Sequence, residues 1–236
     1  MRLDQELVLR NLYPTRSKAV AAINAGLVWV NGVPAKKPSQ IVFDSDNISG
    51  GALPYSAGRG SLKLYHALDF FHISPRDMVC LDVGASTGGF TEVLLARGAS
   101  HVYAIDVGTN QLIPELRQDA RVTSMEQTDI RDVQPVTLVD LTVIDVSFIS
   151  LTNIIGSVNR WGAKTIIALV KPQFEVPASV AAKFNGVIKS DDWHQYSINR
   201  VVESFAQSGF DCVGVTESPI RGGSGNIEFL ACFAKK

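Results

Sequence analysis

From residue 62 to the C-terminus, short apolar runs alternate with stretches of helical periodicity, and that alternation limits the possible folds more than any other feature. Residues 78–83, 101–105, 122–125, 138–144 and 165–170 read as strands, and residues 62–73, 87–97 and 193–208 as helices. Strands rich in Val, Ile and Leu, with helices between them, are buried on both faces of a parallel sheet. The runs at 212–216 and 227–234 are too close to hold a helix between them, so they predict an antiparallel pair. The expected class is α/β: a Rossmann-like sheet, mostly parallel, with its last strand antiparallel.

The first fifty residues follow another pattern. Leu3, Leu7 and Val8 share one helical face, with Asp4 and Glu6 expected on the water side. Pro14 interrupts, and Thr15 is placed to cap a second helix over 16–25, closed by Gly26. Val28-Trp29-Val30, followed by Asn31-Gly32 and Val33, predicts a hairpin with a two-residue turn. A further strand is expected over 41–43, with Tyr13, Trp29 and Phe43 in the core. Residues 49–60 then hold four glycines and a proline, the composition of a joint. The division expected is a small α+β domain over 1–50, a linker over 51–60 and the sheet domain over 61–236.

Composition excludes several classes. Apolar residues make up 46% and charged residues 19% of the chain, which suits a packed core and not a disordered polymer. A net charge of −1 excludes binding to nucleic acid through overall basicity. The charge is uneven, however: residues 1–60 carry seven Lys/Arg against four Asp/Glu, and the remainder fifteen against nineteen. Cys80, Cys212 and Cys232 each sit in an apolar run and are expected to be core side chains. They exclude a disulfide framework, and their spacing gives no metal site. The opening MRLDQELVLR lacks the apolar centre of a signal peptide, and no apolar run approaches the length of a membrane span. A cytoplasmic protein is expected.

The turn after the first core strand reads Asp82-Val83-Gly84-Ala85-Ser86-Thr87-Gly88-Gly89-Phe90-Thr91. At this place in a doubly wound sheet, glycines let a backbone approach a ligand, and the next helix offers free N–H groups. No Gly-Lys-Ser/Thr follows, which excludes a Walker A loop, and the glycines miss the dinucleotide spacing. Asp106, with Val107 after it, ends the second strand, where an acid can take both hydroxyls of a ribose. Singly, each element reads as a packing turn or a polar strand end. In this order they point to a nucleoside-bearing cofactor and resemble the cofactor half of S-adenosylmethionine-dependent methyltransferases. Asp129 is either an acceptor for an adenine amine or a surface acid, and the sequence does not separate the two.

Methyl transfer to a hydroxyl needs an activated oxygen, an in-line methyl donor and a place for the proton. An amine beside the oxygen stabilises a developing alkoxide or, when neutral, takes the proton, while carboxylates set its position. Lys171 ends the strand at 166–170, followed by Pro172, and Asp145 ends the strand before it. Lys63 lies on the helix preceding the first core strand. Glu228 is expected inside the apolar last strand, where a buried acid needs a partner.

The series Lys63, Asp145, Lys171, Glu228 resembles the Lys-Asp-Lys-Glu tetrad of FtsJ-type RNA 2′-O-ribose methyltransferases. With Leu62-Lys63-Leu64, the 82–91 turn, Ile144-Asp145-Val146-Ser147-Phe148-Ile149-Ser150, Leu169-Val170-Lys171-Pro172-Gln173-Phe174-Glu175 and Gly225-Asn226-Ile227-Glu228-Phe229-Leu230, it resembles more narrowly the TlyA / hemolysin A family. Members fuse an S4 RNA-binding domain to that enzyme fold. Arg2-Leu3-Asp4, Ser17-Lys18-Ala19, the 26–32 segment and Lys37-Pro38-Ser39 are similar to S4. Residues 56–61 and Phe184-Asn185-Gly186 depart from the family pattern.

The resemblance implies transfer of a methyl group from S-adenosylmethionine to the 2′-oxygen of a cytidine in ribosomal RNA, with no metal required. It implies that Lys171 activates the hydroxyl, that Asp145 and Glu228 tune Lys171, and that Lys63 orients the substrate or the carboxylates. Arg2, Arg16, Lys18, Lys36, Lys37 and Arg59 would together meet RNA phosphates; singly, each reads as a solvated charge. The rival readings are a non-catalytic RNA-binding protein on the same fold and a membrane-lytic protein, the second opposed by the absence of any membrane-active stretch.

Overall fold

The computed structural model describes residues 1–24, 27–50, 58 and 60–236. The N-terminal part contains α1 (Leu3–Leu9), α2 (Arg16–Asn24), β1 (Val28–Val30), β2 (Val33–Pro34) and β3 (Ile48–Gly50). The three strands form an antiparallel sheet in the order β2-β1-β3. Asn31 and Gly32 have φ of 52° and 77°, the left-handed pair that a two-residue hairpin turn requires. The Thr15 hydroxyl accepts the Lys18 N–H at 3.3 Å and caps α2. Gly26, expected to close that helix, lies outside the described residues. Leu3, Leu7, Tyr13, Ala22, Ile23, Val28 and Val42 fill a core separate from that of the main sheet.

Several expectations for this part are corrected. Asp4 and Glu6 face inward and are buried. Asp4 takes the guanidinium groups of Arg2 at 3.0 Å and Arg16 at 2.9 Å, and Glu6 takes Arg10 at 2.8 Å. The Arg2 hydrogen bond, with help from Arg16, holds the Asp4 carboxyl below its ordinary range. Residues 41–43 form no strand; Ile41 makes one bridge to Arg2, and the third strand is Ile48–Gly50. A turn overrides β-propensity there: the Asp46 carboxylate accepts the Phe43 N–H at 2.9 Å, and Arg10 donates to the carbonyls of Phe43, Asp44 and Asp46. Phe43 is 67% exposed and Trp29 half-buried, so of the three aromatics only Tyr13 is a core residue.

The second part runs α3 (Ser61–Phe70), β4 (Val79–Val83), α4 (Gly89–Ala96), β5 (His101–Ile105), α5 (Pro114–Arg117), β6 (Val122–Met125) and β7 (Leu141–Ile144). A 3-10 turn (Leu151–Asn153), α6 (Ile155–Asn159), β8 (Thr165–Val170), α7 (Pro172–Glu175), α8 (Ala178–Lys183), α9 (Asp191–Gln207), β9 (Phe210–Glu217) and β10 (Phe229–Lys235) follow. The sheet order is β6-β5-β4-β7-β8-β10-β9, with β10 antiparallel to both its neighbours and the strands from β6 to β8 parallel.

Strand residues alternate between two cores. Cys80, Ile167, Leu169 and Leu230 face the core that α3 and α4 complete, and Leu81, Val83, Ile166, Ala168 and Phe233 face the one that includes Val201 and Phe205 of α9. Cys80 and Cys232 are buried; burial first, and neighbouring acids second, push the Cys80 thiol up to about 12. Cys212 departs from expectation, being exposed on the edge strand β9. Among the described residues, no helix is long and apolar enough to cross a membrane.

The chain winds outward from β4 in both directions, toward β5 and β6 on one side and toward β7 and β8 on the other. At such a switch the loops after the strands separate and leave a crevice at their C-terminal ends.

Candidate active site

Gly84 opens the turn after β4 with φ +84°, and a Cβ there would stand 2.5 Å from the backbone oxygen of Asp145. Only glycine fits that closeness, so the turn after β4 and the end of β7 are in backbone contact. Ser86 continues with φ 49°, and its N–H donates to Asp106 Oδ2 at 2.7 Å; the Gly108 N–H donates to Asp106 Oδ1 at 2.7 Å. Two backbone amides thus fix the Asp106 carboxylate, and each oxygen keeps a lone pair for a ligand hydroxyl. The loop beyond it is anchored by Glu126, which accepts the N–H groups of Asn110, Gln111 and Leu112 at 2.6–3.1 Å.

A cavity of roughly 350 Å³ fills this crevice, with Gly84, Asp106, Val107, Asp129, Ile130 and Ile149 in its walls. A smaller cavity, roughly 210 Å³, has Ala85, Thr87, Gly89, Phe90, Gly58 and Gly60 around it, and shares Gly84, Ser86 and Asp145 with the first. Apolar walls beside an oriented carboxylate suit a purine nucleoside, and the glycine-lined annex suits a small polar tail. Asp129 stands on the wall with its carboxylate paired to Arg131 at 2.6 Å, and that hydrogen bond holds it below its ordinary range.

Two turn residues expected to bind the cofactor, Asp82 and Gly88, are buried and line neither of these cavities. Gly88, at φ +101°, is buried where a Cβ would collide with the Leu116 side chain. Asp82 is fully buried: its Oδ2 accepts the Thr91 hydroxyl at 2.6 Å, and its Oδ1 has no hydrogen-bond partner. It braces the start of α4 from below. Burial pushes its carboxyl up to about 7. A raised acid favours folding while protonated, so this stability is full below about pH 4 and is lost as pH rises through about 7. Asp82→Asn removes the titration; its melting temperature relative to wild type should therefore climb between pH 5 and pH 8, an expected swing of a few kcal/mol. A difference that stays flat with pH in calorimetric melts would refute this.

A third cavity of roughly 410 Å³ opens on the far side of the β7–β8 loops, and Lys63, Lys171 and Glu228 face it. Lys171 follows β8 and Asp145 follows β7, so parallel pairing brings the two together: Lys171 Nζ lies 2.6 Å from Asp145 Oδ1. From α3, Lys63 Nζ reaches Glu228 Oε2 at 2.7 Å and Asp145 Oδ2 at 3.7 Å. Lys63, Lys171 and Glu228 are buried and Asp145 is half-buried. Glu228 lies one residue before β10 and not inside it; a Cβ on Gly222 would collide with its carboxylate. Four residues from four elements form one continuous chain of alternating charge.

Four neighbours of this chain were not anticipated. The Ser147 hydroxyl accepts from Lys171 Nζ at 2.8 Å. Phe148 is 91% exposed with φ +64°, its ring 5.3 Å from that of Phe174. Buried Glu175 accepts from the Ser150 hydroxyl at 2.6 Å and the Leu151 N–H at 2.8 Å, which ties the loop after β7 to α7; burial raises its carboxyl. Asn226 is buried, takes the Ile188 N–H at 2.9 Å and donates to the Gly186 carbonyl at 2.8 Å, fixing the outer wall of the third cavity. The readable signal was polarity inside the segments 144–150, 169–175 and 225–230, where only the tetrad positions had been assigned.

The cavities meet at one place. Asp145 lines the first two, and Ser147 and Phe148 line both the first and the third. A ligand in the crevice and one over Lys171 would touch across this loop. Gly84→Ala should lower affinity for the crevice ligand at least about tenfold in calorimetric titration, because the added methyl must push the turn off Asp145; unchanged affinity would sink that reading.

The basic residues of the first part divide. Arg2 and Arg16 are spent on Asp4, although both guanidinium groups are partly exposed. Lys36 and Lys37 are exposed and Lys18 half-buried, while Arg59 lies outside the described residues. Among the described residues, no group of three or more His, Cys, Asp or Glu side chains is arranged to hold a metal ion.

Comparison with known proteins agrees across the whole chain. Residues 57–235 match the model of the FtsJ-like methyltransferases, and residues 1–48 that of the S4 domain. The 16S/23S rRNA (cytidine-2′-O)-methyltransferase TlyA of Mycobacterium tuberculosis is 42% identical over 236 residues, covering 97% of this chain and 88% of that protein. Hemolysin A of Brachyspira hyodysenteriae is 39% identical over 244 residues, covering 99% of each. A solved structure from Streptococcus thermophilus, described as a candidate hemolysin, superposes with a TM-score of 0.75 at 42% identity over 100% of this chain and 88% of that one.

Proposed function

Because this chain belongs to the family of TlyA and hemolysin A, FtsJ-like methyltransferases joined to an S4 domain, we propose that it methylates the 2′-oxygen of a cytidine ribose in ribosomal RNA, with S-adenosylmethionine as donor. The carrying observation is the seam at Asp145–Phe148, where the nucleoside crevice meets the cavity over Lys171. The crevice fits the donor by its chemistry. The two free lone pairs of Asp106 suit ribose hydroxyls, Val107 and Ile130 a purine face, and the glycine-lined annex the amino-acid tail. Asp129, already paired with Arg131, keeps acceptor capacity for an exocyclic amine.

S-adenosylmethionine supplies a methyl carbon on a sulfonium, so the acceptor's electron pair forms the O–C bond while the C–S pair stays on sulfur as a neutral thioether. Lys171 Nζ receives the proton leaving the 2′-oxygen and passes it to water through the open cavity. Asp145 holds Lys171 at 2.6 Å and offsets the charge it gains. Lys63 neutralises the buried Glu228 and keeps Asp145 from turning away. The exposed Phe148 ring, braced by Phe174, offers the acceptor nucleotide's base a stacking face.

Residues 1–50 would hold structured RNA, chiefly through Lys18, Lys36 and Lys37, with Arg2, Arg16 and Arg59 supporting; 51–60 would be the joint and 61–236 the catalytic unit. An rRNA substrate implies work in the cytoplasm. Ribosomal subunits lacking the modification, incubated with tritiated S-adenosylmethionine, should become labelled at a 2′-O-methylcytidine. The absence of label in subunits and in naked rRNA, with donor binding intact, would overturn the proposal.

A further inference from the structure

We propose that Ser147 is a positioning residue for the reaction: its hydroxyl accepts the hydrogen bond of Lys171 Nζ and directs the amine, which Asp145 holds by charge, toward the acceptor oxygen. The inference rests on the reading of Lys171 above.

The argument is stereochemical. A lysine nitrogen is tetrahedral, with one vertex bonded to Cε and three free. Ser147 Oγ accepts along one of these at 2.8 Å, while Asp145 Oδ1, 2.6 Å away, holds the nitrogen as an ion pair outside hydrogen-bond alignment. The charge of Asp145 sets where the nitrogen sits, and the directional bond to Ser147 sets how its vertices are turned, so that a free one can meet the 2′-hydroxyl in the cavity that Lys171 lines. Without Ser147 the amine rotates about Cδ–Cε and meets that hydroxyl productively only part of the time.

Two further observations support the assignment. Ser147 lines both the crevice and the third cavity, so its hydroxyl sits where the two ligands meet. Its backbone is held at both ends. The Asp145 N–H donates to the Val83 carbonyl at 2.9 Å, and Ser150 and Leu151 are tied to Glu175 at 2.6 and 2.8 Å. The Ser147 side chain is exposed, and it is this anchored backbone that gives its hydroxyl a direction.

The test uses the full chain with wild-type, Ser147→Ala, Ser147→Thr and Lys171→Met proteins on unmodified ribosomal subunits. Ser147→Ala should lower kcat by about 10²-fold, the scale of a misdirected reacting group, while KM for the subunit stays within about threefold. Calorimetric affinity for S-adenosylmethionine should be unchanged, as a readout independent of turnover. In the free protein, acetic anhydride should acylate Lys171 faster in Ser147→Ala than in wild type, measured by peptide mass spectrometry. Ser147→Thr keeps the hydroxyl and should recover kcat to within about threefold of wild type. A kcat for Ser147→Ala within about twofold of wild type overturns the inference, as does equal loss in the Thr and Ala variants or a fall in donor affinity. Activity surviving in Lys171→Met overturns the Lys171 reading and this inference with it. An inert Lys171→Met beside a fully active Ser147→Ala overturns the inference alone.

Discussion

Lys171→Met should yield a folded protein that binds S-adenosylmethionine normally and methylates at least about 10³-fold more slowly than wild type. The methionine fills the same channel with apolar atoms. Asp145, half-buried, keeps Lys63 at 3.7 Å and some access to water, so no isolated charge is stranded in the interior. What disappears is the amine that touches both Asp145 and Ser147 and would take the proton from the acceptor. Single-turnover kinetics and calorimetry separate the two effects. A loss of donor binding equal to the loss of rate would mean that Lys171 shapes the crevice instead.

Lys63→Met should behave otherwise. Glu228 is 3% exposed, and Lys63 is the cation on its carboxylate at 2.7 Å. Removing the cation leaves a buried charge uncompensated, at a cost of about 3–5 kcal/mol, equivalent to roughly 6–20 °C in melting temperature for a domain of this size. Adding Glu228→Gln to Lys63→Met should restore much of that stability without restoring methylation, since the stranded charge is gone but the tetrad is still broken. A Lys63→Met protein as stable as wild type would show that water reaches Glu228 and that the pair is held for chemistry only.

The sheet was legible because burial on both faces leaves strand runs with little polar interruption: residues 101–105 and 165–170 form strands with the bounds expected. The meeting of Asp145 and Lys171 followed from topology, since parallel strands end on one edge. Asp4 and Glu6 were misjudged because helical periodicity registers polarity but not partners, and Arg16 closes on Asp4 from another helix. Residues 41–43 had strand-forming side chains, but Asp46 and Arg10 offered their backbone a turn. Phe148 gave no warning, because a left-handed phenylalanine is imposed by the loop around it and leaves no signature in its own neighbours. Glu175 and Asn226 resembled ordinary polar loop residues. Their burial comes from the backbone groups they satisfy, which periodicity does not see.

Gly84 has a consequence for how such an enzyme can change. Its turn rests against the Asp145 carbonyl with no space for a methyl group between them. The peptide that receives one reactant therefore shares a boundary with the peptide that aims the other. Side chains of increasing size at Gly84 push the two peptides apart, so in that series affinity for the donor and speed of the chemical step should fall together, whereas truncating Ser147 or Lys171 leaves the contact intact and separates the two. Loosening product release at this turn would therefore also detune the proton acceptor.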